Sequence, residues 1–154
     1  MILTQGTVLI KMSVNIDKIY DMLSWNNDIS IQLSGIKEAK KIKSLNVLIL
    51  PILSTNSKAV WKNCAKVLIS KSDVELKPYL TQLFKWLQDL NWPGSDLIFN
   101  RLLDIPFNEL ELPLEICLSL AQDTNDLQWE YALITFQEQK TGTCIRQVLC
   151  RVWY

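Results

Sequence analysis

Phe84-Lys85-Trp86-Leu87-Gln88-Asp89-Leu90-Asn91-Trp92-Pro93-Gly94 carries two of the six tryptophans, one helix end and one helix start. The stretch leading into it, Tyr79 to Leu90, settles the class of fold. At about 100° per residue, Tyr79, Leu80, Leu83, Phe84, Trp86, Leu87 and Leu90 fill one arc, and Thr81, Gln82, Lys85, Gln88 and Asp89 fall outside it. That is a helix packed on one side and wet on the other. Asn91 suits a helix stop, because asparagine tolerates the left-handed conformation. Pro93 then opens a second helix that runs through Asp96 to Leu103.

The same punctuation recurs outward from this elbow. The chain has only four Gly, and its five Pro fall between apolar blocks. Asn15–Leu23 reads as a first short helix, with Ile16, Ile19, Tyr20 and Leu23 on one stripe. Asp28–Lys43 reads as a second, capped by Asn26 or Asn27, with Ile29, Leu33, Ile36, Ala39 and Ile42 sharing one side. Gly35 inside it costs about 1 kcal/mol against Ala, which a close helix crossing would explain. Asn46–Leu53 is apolar and contains Pro51. A buried strand suits it in isolation, but the helical surroundings favour a short buried helix.

Lys58–Ser70 is amphipathic, with Lys58, Lys62, Asn63, Lys66 and Ser70 on its polar side. Ser72-Asp73-Val74-Glu75 has the spacing of a capping box. After Pro106, Pro113–Gln122 reads as a helix, then Leu127–Gln137 as one that is apolar nearly all round and therefore well buried. In Cys144–Trp153, Ile145, Val148, Leu149 and Val152 share a stripe that suits a last short helix, although the residue types suit a strand as well. The expectation is one all-α domain over residues 1–154. Residues 1–12 form a peripheral segment, and residues 139–154 form a tail whose conformation the pattern leaves open.

Short helices with one apolar side each suggest stacked antiparallel helix pairs. Trp25, Trp61, Trp92 and Trp129 recur every 31 to 37 residues, near the period of helical solenoids. Six tryptophans filling an irregular helical core would give the same class.

Composition excludes several chemistries. There is no histidine, which removes Ser-His-Asp and Cys-His constellations and the usual zinc and non-haem iron ligand sets. Cys64, Cys117, Cys144 and Cys150 form no Cys-x-x-Cys pair. They read as free thiols of a cytoplasmic protein, with Cys64 and Cys117 packed as small hydrophobes. Sixteen basic residues balance sixteen acidic ones, so the cationic excess that nucleic-acid binding needs is lacking. Lys37, Lys40, Lys41 and Lys43 read as a solvated helix face. No apolar run approaches the roughly 20 residues of a membrane span. Glu109/Glu111 and Asp123/Asp126 lack the spacing of a calcium loop or a catalytic carboxylate pair and read as surface acids.

Lys77-Pro78-Tyr79, Leu83 and the run Trp86-Leu87-Gln88-Asp89-Leu90-Asn91-Trp92-Pro93 resemble the signature of a bacterial family catalogued as domain of unknown function 5071. Trp61-Lys62-Asn63-Cys64-Ala65 upstream and Asp123-Thr124-Asn125-Asp126 with Trp129 and Tyr131 downstream extend the likeness over roughly residues 16–137. The tail after Gln137 departs from the family pattern. The resemblance implies a small HEAT-like helical fold, an α–α superhelix or right-angle bundle, with no established activity.

No catalytic, cofactor-binding or metal-binding residue is expected, and no enzyme activity. The chain reads as a protein-interaction module, monomeric or weakly dimeric, whose partner is a protein and neither nucleic acid nor membrane. The resemblance adds, as an alternative, an immunity protein that neutralises a bacterial toxin. A carboxylate-based small-molecule binder or enzyme is the more distant alternative. If the elbow serves a partner, Gln82, Lys85, Asp89, Asn91 and Trp92 are the residues that would meet it.

Overall fold

The computed structural model describes residues 15–143. Every regular element among them is helical, and no strand occurs. The expected peripheral segment 1–12 and the stretch from Cys144 onward lie outside the described residues.

Helix α1 (Ile16–Leu23) starts where expected. The Asn15 side chain accepts from the Lys18 N–H at 3.2 Å and satisfies a donor the first turn leaves open. It packs on α2 (Ile29–Ala39), and this contact corrects the expected face of α2. Ile29 and Leu33 are 64% and 58% exposed, while Gly35 and Ala39 are buried. A Cβ at Gly35 would stand 2.8 Å from the Met22 Cβ. The side of α2 that has no side chain in the way approaches α1 most closely, and that closeness outweighs the apolar count. The helix also begins after Asp28, not after Asn26 or Asn27, and ends four residues before Lys43. The Lys71 Nζ donates to the Lys40 and Ile42 carbonyls (2.9 and 3.2 Å). A cation thus meets the negative end of the helix.

Asn46–Leu53 is a second correction. It is not a helix beyond a single 3₁₀ turn, Leu45–Leu48, followed by open chain in which Ile52 is 92% exposed. Other elements hold it. The Tyr20 hydroxyl donates to the Val47 carbonyl at 2.5 Å, and the Trp61 indole donates to the Pro51 carbonyl at 3.0 Å.

Helix α3 (Lys58–Leu68) lies at the centre, touching α1, α2 and α6. The capping box at Ser72 forms as expected at the start of α4 (Asp73–Leu76), and a 3₁₀ turn over Lys77–Tyr79, with Pro78 near its start, leads into α5 (Leu80–Lys85). The arc of α5 buries Leu80, Leu83, Phe84, Trp86 and Leu87. Its α-helix is shorter than expected, tightening to 3₁₀ over Trp86–Gln88, so Leu90 falls beyond the end and is exposed. The left-handed residue of the elbow is Gly94 (φ +85°), not Asn91.

Helix α6 (Ser95–Asp104) is followed by α7 (Phe107–Asp123), which runs straight through Pro113. An interior proline costs roughly 3 kcal/mol. Leu110, Leu114, Cys117 and Ala121 are all buried on one stripe that spans it, and burying each of the two leucines returns about 1.5–3 kcal/mol. Continuity of the stripe wins. Helix α8 (Leu127–Thr141) begins with the Asp126 side chain accepting from the Trp129 N–H at 3.0 Å and ends at left-handed Gly142. It runs four residues past Gln137. It is not buried all round: Trp129, Ala132, Leu133 and Phe136 face inward, while Leu127 is exposed.

Helix α8 packs on α7, on α6 and on the 3₁₀ turn that ends α5. Its Trp129 indole donates to the Phe84 carbonyl (3.0 Å) and its Lys140 Nζ to the Leu103 carbonyl (2.6 Å). Phe136 stands edge-on to both Phe84 and Phe99, with centroids 5.1 and 5.3 Å apart. Lys77 pairs with Glu109 (2.6 Å), and the Cys117 thiol lies 3.5 Å from the Thr81 carbonyl. Helices α5 and α7 therefore run side by side in the same sense.

Candidate functional site: the tryptophan elbow and the α5–α7 seam

Three indoles meet where the elbow reaches α3. Trp61 stands edge-on to Trp86 (6.4 Å between centroids) and to Trp92 (5.3 Å). Aromatic pairs at such angles add about 0.5–1.5 kcal/mol beyond their buried area. Trp86 is fully buried, and its indole donates to the Pro93 carbonyl at 3.1 Å, so the helix end grips the turn that follows it. The Lys58 Nζ is 5.9 Å from the rings of both Trp61 and Trp92, within cation–π range. The elbow backbone closes on itself. Asp89 Oδ1 accepts from the Asn91 N–H (2.8 Å), and the Asp89 carbonyl accepts from the Trp92 N–H (2.9 Å) and the buried Ser95 hydroxyl (3.2 Å). Gly94 then passes so near α3 that a methyl there would lie 2.5 Å from the Ala65 Cβ.

These facts give Trp86, Asp89, Trp92 and Pro93 of the signature a structural duty. Trp86, Trp92, Pro93 and Gly94 lock α5 and α6 against α3. Asp89 holds the turn, and its carboxylate is already engaged. Of the five residues the sequence singles out, Gln82, Lys85 and Asn91 are exposed, and Asp89 and Trp92 are half-buried. They do not form one cluster. Trp92 turns toward α3, whereas Gln82 and Lys85 stand on α5, and the Lys85 charge reaches Cys117 on α7.

The sequence reading misses two residues. Lys58 reads as solvated, yet it sits over the tryptophan pair. Asn63 reads as part of the polar side of α3, yet it is buried, donating to the Leu23 carbonyl and to Gln32 Oε1 at 2.8 Å each. The available signal is Ala59, Cys64 and Ala65 around it. Such small residues on several sides mark a helix enclosed by others.

Burial pushes the Cys64 thiol up to about 12 and the Cys117 thiol up to about 11, the latter against a lowering by Lys85. Both stay protonated at neutral pH and are poor nucleophiles there. Among the described residues no group of three or more His, Cys, Asp or Glu side chains is placed to hold a metal ion. No helix among them is long and apolar enough to cross a membrane. Open clefts among the described residues include the following two. One of about 520 Å³ separates the outer flanks of α7 and α8, and one of about 350 Å³ lies at the α1–α3 junction, edged by Asn26, Asn27, Thr55 and Asn56.

The exposed apolar residues of α7 are Leu112, Ile116 and Leu120, one every fourth position. Cys117 faces α5, and Leu118 and Glu111 line the α8 side, so helical geometry places Ile116 and Leu120 on the flank toward α5. Across the α5–α7 seam the Lys85 charge reaches Cys117.

No curated protein and no solved structure matches the chain. A family model does, over residues 53–151. The match begins later than the expected residue 16, leaving α1 and α2 outside it, and it continues through the tail expected to depart from the family. With well over half of its length matched, including the whole tryptophan elbow, the chain belongs to the family described as a domain of unknown function, DUF5071.

Proposed function

We propose that this chain is a protein-interaction module, a HEAT-like stack of helix pairs that presents the α5–α7 seam to a protein partner. One observation carries the reading: Ile116 and Leu120, with Leu112 beyond them, are large apolar side chains left exposed in register along α7, and the exposed Lys85 of α5 reaches the same helix at Cys117. Contiguous exposed apolar surface edged by polar groups is characteristic of protein contact sites. Lys85 fits a carboxylate on the partner. Asp89 and Trp92 support the surface from beneath by fixing the end of α5.

The test is affinity capture from the native host with mass spectrometry, comparing wild type, Lys85→Glu/Ile116→Asp and Lys43→Glu. Lys43 is exposed and far along the chain from the seam. Proteins recovered by wild type and by Lys43→Glu are expected to be lost with the double variant. Recovery of the same proteins by all three overturns the reading.

A further inference from the structure

The balanced charge of the whole chain conceals an uneven distribution. Residues 15–71, which hold α1, α2 and α3, carry nine lysines and four acidic residues. Residues 105–143, which hold α7 and α8, carry seven acidic residues and one lysine. Helix α6 joins the two groups: α1 and α2 pack on α3, α3 on α6, and α6 on α8, which packs on α7. Each group also presents apolar surface beside its charges. On α2, Ile29, Leu33, Lys37 and Lys40 fall within about 80° of the helix circumference, and all four are exposed. On α7, Glu111 and Glu115 stand exposed beside the cleft that Phe107, Leu114 and Leu118 line with apolar side chains. The ion pairs formed between described residues use none of these four charges.

We propose that this chain binds a second copy of itself head to tail, with the Ile29–Lys40 face of α2 seated in the α7–α8 cleft of the next copy. The two surfaces match in register as well as in sign. With the helices antiparallel, Leu33 opposite Leu118 brings Lys40 opposite Glu111 and Lys37 within one residue of Glu115. Leu33 and Lys40 are seven residues apart, as are Leu118 and Glu111, so each pair spans about two turns. The antiparallel arrangement also sets the helix dipoles in opposition. Because the two surfaces differ, each copy keeps one of them free, and association continues past two copies. The charge pairs lie at the surface, so the contact is weak and is screened by salt. It does not use the α5–α7 seam, because Ile116 and Leu120 lie roughly 160° around α7 from Leu118.

Sedimentation equilibrium of the full chain tests this. The weight-average mass is expected to rise at least about 1.5-fold between ~10 μM and ~1 mM protein. It should fall back at ~1 M salt, where the screening length drops to ~3 Å. Glu111→Lys/Glu115→Lys and Lys37→Glu/Lys40→Glu are each expected to leave the chain monomeric, with circular dichroism showing that both stay folded. A one-to-one mixture of the two variants is expected to associate, because each then meets a face of opposite sign. Lys62→Glu/Lys66→Glu changes the net charge equally but lies on α3, outside the α2 face, and is expected to associate like wild type. A wild-type mass that stays at one copy throughout, or that saturates at two, overturns the proposal. So does association that survives either reversal alone, loss of association in the α3 control, or a mixture of the two variants that stays monomeric.

Discussion

Gly94 adopts φ +85°, and a methyl there would stand 2.5 Å from the Ala65 Cβ. Two costs coincide in Gly94→Ala: about 1–2 kcal/mol for the left-handed backbone and about 1–3 kcal/mol for overpacking. Denaturant unfolding should show a loss of at least ~2 kcal/mol. Adding Ala65→Gly should return only part of it, because the backbone cost remains. A loss below ~0.5 kcal/mol would mean that the elbow does not press on α3. Cys64 gives a pH signature. Its thiol sits at an ordinary value of 9.0 when exposed and near 12 in the fold, with burial as the cause. The folded state then holds the proton longer, so this contribution is complete below pH ~9 and is lost as pH climbs toward ~12. Stability should decline across that window, and Cys64→Ala should flatten the decline. An unchanged slope in the variant would assign the alkaline loss to other groups.

Elements answer to their neighbours more than to their own periodicity. In α2 the apolar residues Ile29 and Leu33 face solvent because Gly35 lets the backbone of α1 approach on another side. Gly35→Ala should therefore destabilise the chain, although alanine improves helix propensity by about 1 kcal/mol. Thermal unfolding decides between the two effects, and a raised Tm would show that the α1–α2 contact yields easily. The capping box of α4 was legible in the sequence because it needs only partners within three residues. The open chain after Leu48 was not, because its fixed points are Tyr20 and Trp61, 27 and 10 residues away from the carbonyls they hold.

The molecule as a whole is larger than its family match. The match begins at residue 53, yet α3 is enclosed from the other side by α1 and α2. Asn63 depends on Leu23 and Gln32, the Ala59 carbonyl accepts from the Trp25 N–H at 3.0 Å, and Trp61 depends on Pro51. A fragment of residues 53–154 removes the Leu23 and Gln32 partners of the Asn63 amide and uncovers the side of α3 that α1 and α2 bury. It is expected to unfold at a lower temperature than the full chain, with weaker cooperativity and increased binding of a hydrophobic dye. Unfolding at the same temperature and with the same sharpness would make α1 and α2 an appendage.

The sequence by itself determined the all-helical class, the capping box at Ser72, the turn at the elbow and the burial of Trp86, because periodicity, proline and capping chemistry act over a few residues. It also carried the family signature. Tertiary structure alone decided that Asn63 is interior, that Lys58 serves the tryptophan pair, that α7 continues through Pro113 and that α2 turns its isoleucine and leucine outward. Each of these depends on which distant surface lies opposite, and a helix presents the same pattern whether one neighbour or three enclose it.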